Sequence, residues 1–393
     1  MDKKVINLGI FGFGTVGQGL FEVLNQTKGI SARVKKICIK NPDKDRAIDA
    51  EYFTTNRDEI LEDPTIDVVV ELINDTQAAL EIVTKALKNK KAVVSASKKM
   101  VAENLKELYD LQQQYHVPLL YEASVCASIP MIRNLEEYYD NDLLHGVEGI
   151  CNGSSNYILT KVSKDKIDFD TALQQAQEKG YAETDPTSDI EGFDSKYKTC
   201  ILLLHAFGLF VKPEDVFNFG ISRLNDFDIQ YAKQQDCQIK LLSICRREND
   251  KVITYVLPKL VSENQMLADI TDEYNGVRVE SAFAENQFFI GKGAGGTATG
   301  SAVLSDISAL TYNYHYEYKK IAQSSSVSLS DHSVLRVYVR YQNKDHINLA
   351  DFENIEVKYE SPENRYIIGE INLAVLKEAD WFKKNEDVNL MVY

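Results

Sequence analysis

The opening of this chain constrains it more than any other stretch. Residues 5–24, VINLGIFGFGTVGQGLFEVL, run from an apolar strand through Gly12-Phe13-Gly14-Thr15-Val16-Gly17 into a helix carrying Leu20, Phe21 and Leu24. The spacing G-x-G-x-x-G carries information only in such a context, strand before and helix after. Gly12 allows the tight turn, Gly14 lets a pyrophosphate approach the backbone, and Gly17 lets helix and strand pack closely. The free amides at the helix start then suit phosphates. A tight turn with no ligand is the plainer alternative.

Strands and helices keep alternating through the first third. Strands are expected at VKKICIK, at Asp67–Leu72, at Lys91–Ser95 and at VPLLYEAS, with helices around AALEIVTKALKN and NLKELYDLQQQYH. That alternation predicts an α/β fold with a Rossmann-type, doubly wound parallel sheet at the N-terminus. From about residue 130 long helices mix with strands such as HGVEGICNG and KVITYVLPKLV, an α+β pattern. A second glycine-rich loop, Gly291 to Gly296, precedes the apolar helix SAVLSDISAL. AQSSSVSLSDHS reads as a linker, and the residues after it as a small α+β tail.

Composition narrows the partners. With 393 residues the chain should form two or three domains. A net charge of −15, with no basic run in either half, argues against nucleic acid and anionic membranes. The six cysteines show neither CxxC nor His-paired spacing, which disfavours zinc and disulfides and fits a reducing cytoplasm. Lys3-Lys4 ahead of an apolar run mimics a signal peptide, but the glycines and the missing cleavage site oppose one. ILLLHAFGLF is too short to span a bilayer.

Residues 180–198, GYAETDPTSDIEGFDSKYK, hold five carboxylates and the lysines Lys196 and Lys198. A solvated acidic loop is one reading. The order of residues gives another. Gly180 reads as a helix stop, Asp185-Pro186 forces an extended step, and a helix follows Gly192. Asp194 and Lys198, four apart, share one face at its start. A lysine among carboxylates there can bind a small zwitterion and move a proton.

Taken in order, GFGTVGQG, VVVELI, VVSASKKM, YEASVCASIP, GICNGSSNYIL, GYAETDPTSDIEGFDSKYK and GKGAGGTATGSAVLSDI resemble homoserine dehydrogenase, over nearly all of the first 320 residues. The resemblance implies reversible oxidation of L-homoserine to aspartate 4-semialdehyde with NAD or NADP, in threonine, methionine and isoleucine biosynthesis. It implies Lys198 as the proton-transfer lysine and Asp194 as its substrate-side partner. Glu183 and Asp189 would bind the substrate amino group, with Tyr181, Gly153 and Ser154 facing the substrate. Lys98 would lie by the nicotinamide and the reacting oxygen, although it could also be an ordinary exposed lysine. Ser95, Asn74, Gly293 and Gly295 join the glycine turn as cofactor contacts. A dinucleotide-binding domain is expected over 1–128, a substrate-binding and dimerisation domain over 129–322 with 291–320 returning to the first, and a small domain over 323–393. A homodimer or homotetramer is expected.

Hydride transfer requires a base within reach of the alcohol proton. Desolvation or the cation Lys98 would favour the neutral amine of such a lysine, and close carboxylates the ammonium. Several positions depart from the family pattern: Ser97 stands for the usual asparagine, Ala127-Ser128 for a double glycine, Lys292 for a proline, and Asn74-Asp75 for two glycines. They bear on cofactor affinity more than on proton transfer. YEASVCASIP also resembles the family's sodium loop, in which Glu122 and the carbonyls near Val125, Ala127 and Ile129 would hold the ion; a structural turn is the alternative. The tail resembles the family's amino-acid-binding regulatory domain only weakly, and no kinase domain precedes the glycine turn, so the single-function form is expected.

Strand Val34–Ile39 ends in Lys40-Asn41-Pro42, with no acid where NAD-specific domains bond the ribose hydroxyl. Lys40 could pair with a 2′-phosphate or simply end the strand in solvent. NADP should serve at least as well as NAD. Two other functions fit the same domain: a dehydrogenase acting on aspartate or its semialdehyde, which would lack the GYAE block or carry a catalytic cysteine, and a non-catalytic NAD(P) sensor, which would tolerate loss of Lys98 or Lys198.

Overall fold

The computed structural model describes residues 5–141, 143–323 and 326–393; Lys3-Lys4 and two positions of the 322–333 stretch lie outside the described residues. Two compact units emerge, Met1–Asp140 with Lys292–Lys319, and Asn141–Gly291 with Lys320–Tyr393.

The first unit is built on six parallel strands: β1 (Ile6–Phe11), β2 (Ala32–Cys38), β3 (Phe53–Thr54), β4 (Val68–Glu71), β5 (Ala92–Ser95) and β6 (Leu119–Leu120). Their order is β3-β2-β1-β4-β5-β6. The strand order reverses between β1 and β4, which opens a crevice beyond their C-terminal ends. Residues on both faces of the central strands are buried, Leu8 and Ile10 of β1 and Val69 and Val70 of β4 among them, as helices on both sides of a parallel sheet require. Helix Thr15–Gln26 packs Leu20 and Leu24 on this core, and helix Gly296–Leu310 adds Val303 and Ile307. The two helices meet backbone to backbone. A Cβ at Gly19 would lie 2.0 Å from the Gly296 carbonyl oxygen, and one at Gly300 2.5 Å from the Leu20 nitrogen. Each fully buried leucine or isoleucine here contributes about 1.5–3 kcal/mol.

VPLLYEAS, expected as one strand, keeps only Leu119–Leu120 in the sheet. At Tyr121 the backbone turns: the Ser124 N–H donates to the Tyr121 carbonyl and the Val125 N–H to that of Glu122. Glu122 is drawn inward, where its carboxylate accepts the N–H groups of Ile132 and Arg133. No periodicity announces a buried carboxylate.

The second unit holds an eleven-stranded sheet among the described residues. Its strands are β7 (Leu144–Ile150), β8 (Phe217–Asn218), β9 (Cys237–Glu248), β10 (Lys251–Ser262), β11 (Tyr274–Ser281), β12 (Glu285–Lys292), β13 (Ser328–Leu329), β14 (Val334–Tyr341), β15 (Phe352–Glu360), β16 (Arg365–Asn372) and β17 (Asn389–Val392). They run β12-β11-β7-β9-β10-β17-β14-β16-β15, with β8 and β13 also against β10. The expected linker therefore contains a strand, since Ser328 and Leu329 pair with Lys251 and Val252. The tail is not set apart either. β17 pairs with β10 and β14, and the buried Arg340 guanidinium lies 3.0 Å from both Asp228 oxygens. A fully buried helix face, Cys200–Phe207, lies on the sheet in helix Phe193–Phe207, which starts after Gly192 in the left-handed region.

Candidate active site

Asp194 and Lys198 stand one turn apart on helix Phe193–Phe207, with Lys198 Nζ 2.6 Å from Asp194 Oδ2. Both are buried, at 1% and 7% exposure. Lys198 Nζ also donates to the Cys151 carbonyl at 2.6 Å. The next residue, Asn152, organises the rest. Its Nδ2 donates to Asp194 Oδ2 at 2.8 Å and to Asp189 Oδ1 at 2.7 Å. Its Oδ1 accepts the Ser155 N–H at 2.7 Å and so caps helix Gly153–Thr160. Sequence reasoning passed over Asn152. The available signal was an asparagine immediately before a helix, the residue type that caps helices best.

The buried Asn275 donates to the same Cys151 carbonyl at 3.3 Å. Its Oδ1, and the Oγ of Ser195, have no hydrogen-bond partner among the described residues. Buried polar atoms of this kind call for a ligand or water. The segment bearing Asn275 is pinned from below, where Asn156 Nδ2 donates to the carbonyls of Ile270, Asp272 and Tyr274. Lys240 Nζ in turn lies 3.1 Å from Asn156 Oδ1. Burial pushes the Lys240 amine down to about 8. Its only advance signal was a lysine at an inward position of the apolar strand QIKLLSIC.

The remaining expected substrate residues divide. Asp189 is half-buried and joins the cluster through Asn152. Glu183 is exposed, and its carbonyl rather than its carboxylate is engaged, by Gln177 Nε2 at 3.0 Å. Gly153 and Ser154 are buried at the helix start, but the Ser154 hydroxyl donates to the Tyr181 carbonyl. That bond braces the helix start against the Tyr181 loop. Tyr181 is half-buried against the Tyr157 ring, centroids 5.2 Å apart.

In the first unit the glycine turn has the shape a dinucleotide needs. Gly12 has φ +96°, and a Cβ there would lie 2.7 Å from the Leu72 carbonyl oxygen; one on Gly17 would lie 2.6 Å from that of Gly12. At Gly14, by contrast, a Cβ would meet nothing within 4 Å. The turn is tight on its protein side and open where a pyrophosphate would approach. Thr15, Val16 and Gly17 begin the helix with their N–H groups toward this space. The Phe13 ring faces the core against Phe21 and Phe53, leaving its backbone for the ligand. The second glycine loop abuts the first: Gly293 follows β12, Gly295 has φ +121°, and a Cβ on Gly296 would lie 2.7 Å from the Thr15 carbonyl oxygen.

Asn74 is exposed at the end of β4, and the adjacent Asp75 caps helix Thr76–Lys88 by accepting the Ala78 N–H. Ser95 does not face a cofactor with its side chain. It is fully buried and donates to Glu71 Oε2 at 2.6 Å. Lys98 is half-buried at the first position of helix Lys98–Glu103.

Lys40 is exposed just beyond β2. The sequence reading missed Arg46, whose guanidinium lies 5.1 Å from the Phe53 ring centroid and donates to the Asn41 carbonyl at 2.7 Å. With Ile39, Ile48 and Phe53 it lines a cavity of about 790 Å³. Arg46 lies six residues past Lys40 on a turn that no pattern brings back to the strand end.

At the candidate sodium loop Glu122 is buried, and burial together with Asp306 raises its carboxyl to about 8. Arg133 bridges to Asp306 at 2.9 Å. Val125 and Ile129 are buried, and Ala127 holds φ +47°, the backbone conformation that the family's glycine adopts freely. A carboxyl raised by burial is one whose ionised form a hard cation beside it would stabilise.

A glycine-turn cofactor fold and a second unit with a buried lysine–carboxylate pair define a nicotinamide-dependent dehydrogenase. Sequence models of two families match, homoserine dehydrogenase over residues 130–308 and the homoserine dehydrogenase NAD binding domain over residues 12–122. A homoserine dehydrogenase of Bacillus subtilis is 36% identical over 319 residues, 79% of this chain and 74% of the relative. One from Synechocystis is 36% identical over 313 residues, 77% of this chain and 72% of the relative. The crystal structure of a homoserine dehydrogenase from Thiobacillus denitrificans superposes with a TM-score of 0.86 at 30% identity, covering 99% of this chain and 98% of that one. That of S. aureus gives 0.72 at 29% identity over 99% of each. The chain belongs to the homoserine dehydrogenase family. It is an oxidoreductase of amino-acid biosynthesis that uses a nicotinamide dinucleotide. Among the described residues no helix is long and apolar enough to cross a membrane, and none of the six cysteines is paired in a disulfide.

Proposed function

We propose that Lys198 carries the proton transfer in the interconversion of L-homoserine and L-aspartate 4-semialdehyde. The observation behind this is the buried Lys198–Asp194 pair, held by Asn152 and the Cys151 carbonyl. A bound nicotinamide supplies the hydride acceptor for the carbinol carbon. As the neutral amine, Lys198 takes the hydroxyl proton while the carbon–oxygen bond becomes a carbonyl. Asp194 then faces the ammonium, and the Cys151 carbonyl fixes its direction. Lys98 is assigned to the cofactor side as the cation beside the reacting oxygen. Asp189, with Glu183 on the adjoining turn, takes the substrate ammonium. Gly153 offers backbone at a helix start, and Tyr181 walls the pocket.

Gly12, Gly14, Gly17, Gly293 and Gly295 would hold the dinucleotide, with Asn74 near the nicotinamide half. Lys40 and Arg46 both favour NADP. Glu122 with the carbonyls of Val125, Ala127 and Ile129 would hold a sodium ion, which steadies the loop. A homodimer or homotetramer agrees with Phe283 at 85% and Ile290 at 54% exposure, on and beside the hairpin β11–β12; light scattering would give its mass. The cytoplasm suits six cysteines outside any disulfide. The deciding assay follows the absorbance of the reduced nicotinamide with L-homoserine and NADP, and with NAD. Turnover of L-homoserine with loss on Lys198→Ala supports the assignment; an unimpaired variant removes it.

A further inference from the structure

Glu71, the last residue of β4, is fully buried and has no part in the chemistry above. Its Oε1 accepts the Ile73 N–H at 2.7 Å, and its Oε2 accepts the Ser95 hydroxyl at 2.6 Å. Ser95 Oγ in turn accepts the Ser97 N–H at 3.1 Å, and the Glu71 carbonyl accepts that of Ala96 at 3.1 Å. One carboxyl thus ties together the loop leaving β4 and the loop leaving β5. The first of these loops lies against Gly12 through the Leu72 carbonyl, and the second leads into Lys98. We propose that Glu71 is a positioning residue for the dinucleotide: its ionised carboxylate latches these two loops in the arrangement that binds, and affinity follows its ionisation.

The chemistry is in the count of donors. An ionised carboxylate accepts from both Ile73 and Ser95. A protonated one must donate from one oxygen, and the Ser95 hydroxyl proton, or the Ile73 N–H, then loses its acceptor. Loss of such a partner in a buried site costs about 1–3 kcal/mol. Burial pushes Glu71 up to about 7, opposed by the bonds from Ser95 and Ile73, with no charged side chain contributing. The groups facing it are a hydroxyl from β5 and an amide from the β4 loop. The exchange between the two states therefore falls at neutral pH. By linkage, a ligand preferring the ionised form must release a proton as it binds.

The proposal rests on these loops being the cofactor site, and NADH is the probe because its phosphates do not titrate near neutrality. NADH affinity, read by fluorescence enhancement, should weaken about tenfold from pH 8 to pH 6 as the ionised fraction falls. Calorimetry at pH 7 in two buffers of different ionisation enthalpy should show proton release. Glu71→Gln should flatten the pH dependence and abolish the release, while Ser95→Ala, which removes one opposing bond, should move the midpoint to higher pH. Ser95→Ala also serves as the decisive variant if Glu71→Gln does not fold. A flat wild-type profile, an unchanged slope in Glu71→Gln, or an unmoved midpoint in Ser95→Ala overturns the proposal. Failure of wild type to bind NADH or NADPH at any pH overturns the cofactor-site reading instead.

Discussion

Replacing Lys198 with alanine should separate two effects that the structure superimposes. The first is catalytic. Removing a positioned proton acceptor costs about two to four orders of magnitude in turnover, or about 2.7–5.4 kcal/mol of barrier at 1.36 kcal/mol per decade. The second is structural. Lys198 and Asp194 are 2.6 Å apart at 7% and 1% exposure, so the variant leaves a carboxylate buried beside Asn152 without its cation. Breaking a buried pair from one side costs about 3–5 kcal/mol of stability. The double variant Lys198→Met with Asp194→Asn removes that stranded charge. It should recover most of the lost thermal stability and none of the lost turnover. NADPH absorbance in both directions, thermal unfolding, and NADPH binding by fluorescence report the three quantities, and NADPH binding should survive because the glycine turn belongs to the other unit. A folded Lys198→Ala enzyme within tenfold of wild-type turnover would refute the reasoning.

Asn152→Ala should lose about a hundredfold in kcat/KM through misplacement of Asp189 and Asp194, along with about 1 kcal/mol from the lost helix cap; Asn152→Asp keeps the capping oxygen but not the Nδ2 donor, so near-normal activity in that variant would argue for the cap alone. Lys40→Ala and Arg46→Ala should each weaken NADPH about tenfold or more while sparing NADH, and parallel losses for the two cofactors would show that neither meets a 2′-phosphate. Glu122 is raised from an ordinary 4.5 to about 8, so its neutral form stabilises the fold; that contribution is complete below about 4.5 and disappears as pH rises through about 8. A bound sodium ion offsets the cost of the ionised form. Thermal stability should therefore gain more from sodium chloride over choline chloride at pH 9 than at pH 6, and an equal gain at both would separate Glu122 from the ion.

What could be read from the sequence was whatever local geometry decides. The strand–Gly12–Gly14–Gly17–helix unit follows from backbone sterics, and the Asp194–Lys198 pair from the pitch of a helix. Both stand where spacing put them. Partner choice inside the protein was not legible. Ser95 turned to Glu71, Ser154 to the Tyr181 carbonyl, and Glu122 to the amides of Ile132 and Arg133, because buried polar groups take whichever donors the tertiary fold brings close. Those partners lie 10 to 27 residues away, beyond any periodicity. Asn152 and Arg46 were missed for the same reason. The expected 323–393 domain joins the sheet of the second unit through the pairings of Ser328 and Leu329 with Lys251 and Val252 and of Val392 with Lys259, contacts between residues 60 or more positions apart that no local pattern announces.

The contact between Gly19 and Gly296 has a consequence for the order in which this protein is made. Helix Gly296–Leu310 supplies Ala302, Val303, Leu304 and Ile307 to the core around Leu20, yet it leaves the ribosome after the whole Asn141–Gly291 segment. Until then the nascent first unit exposes an apolar groove along helix Thr15–Gln26, and its glycine turn lacks the Gly296 backbone that abuts Thr15. Cofactor capture should therefore await synthesis of residues 292–319. A fragment ending at Asp140 should expose that groove to a hydrophobic dye, and residues 292–319 fused behind it should close it.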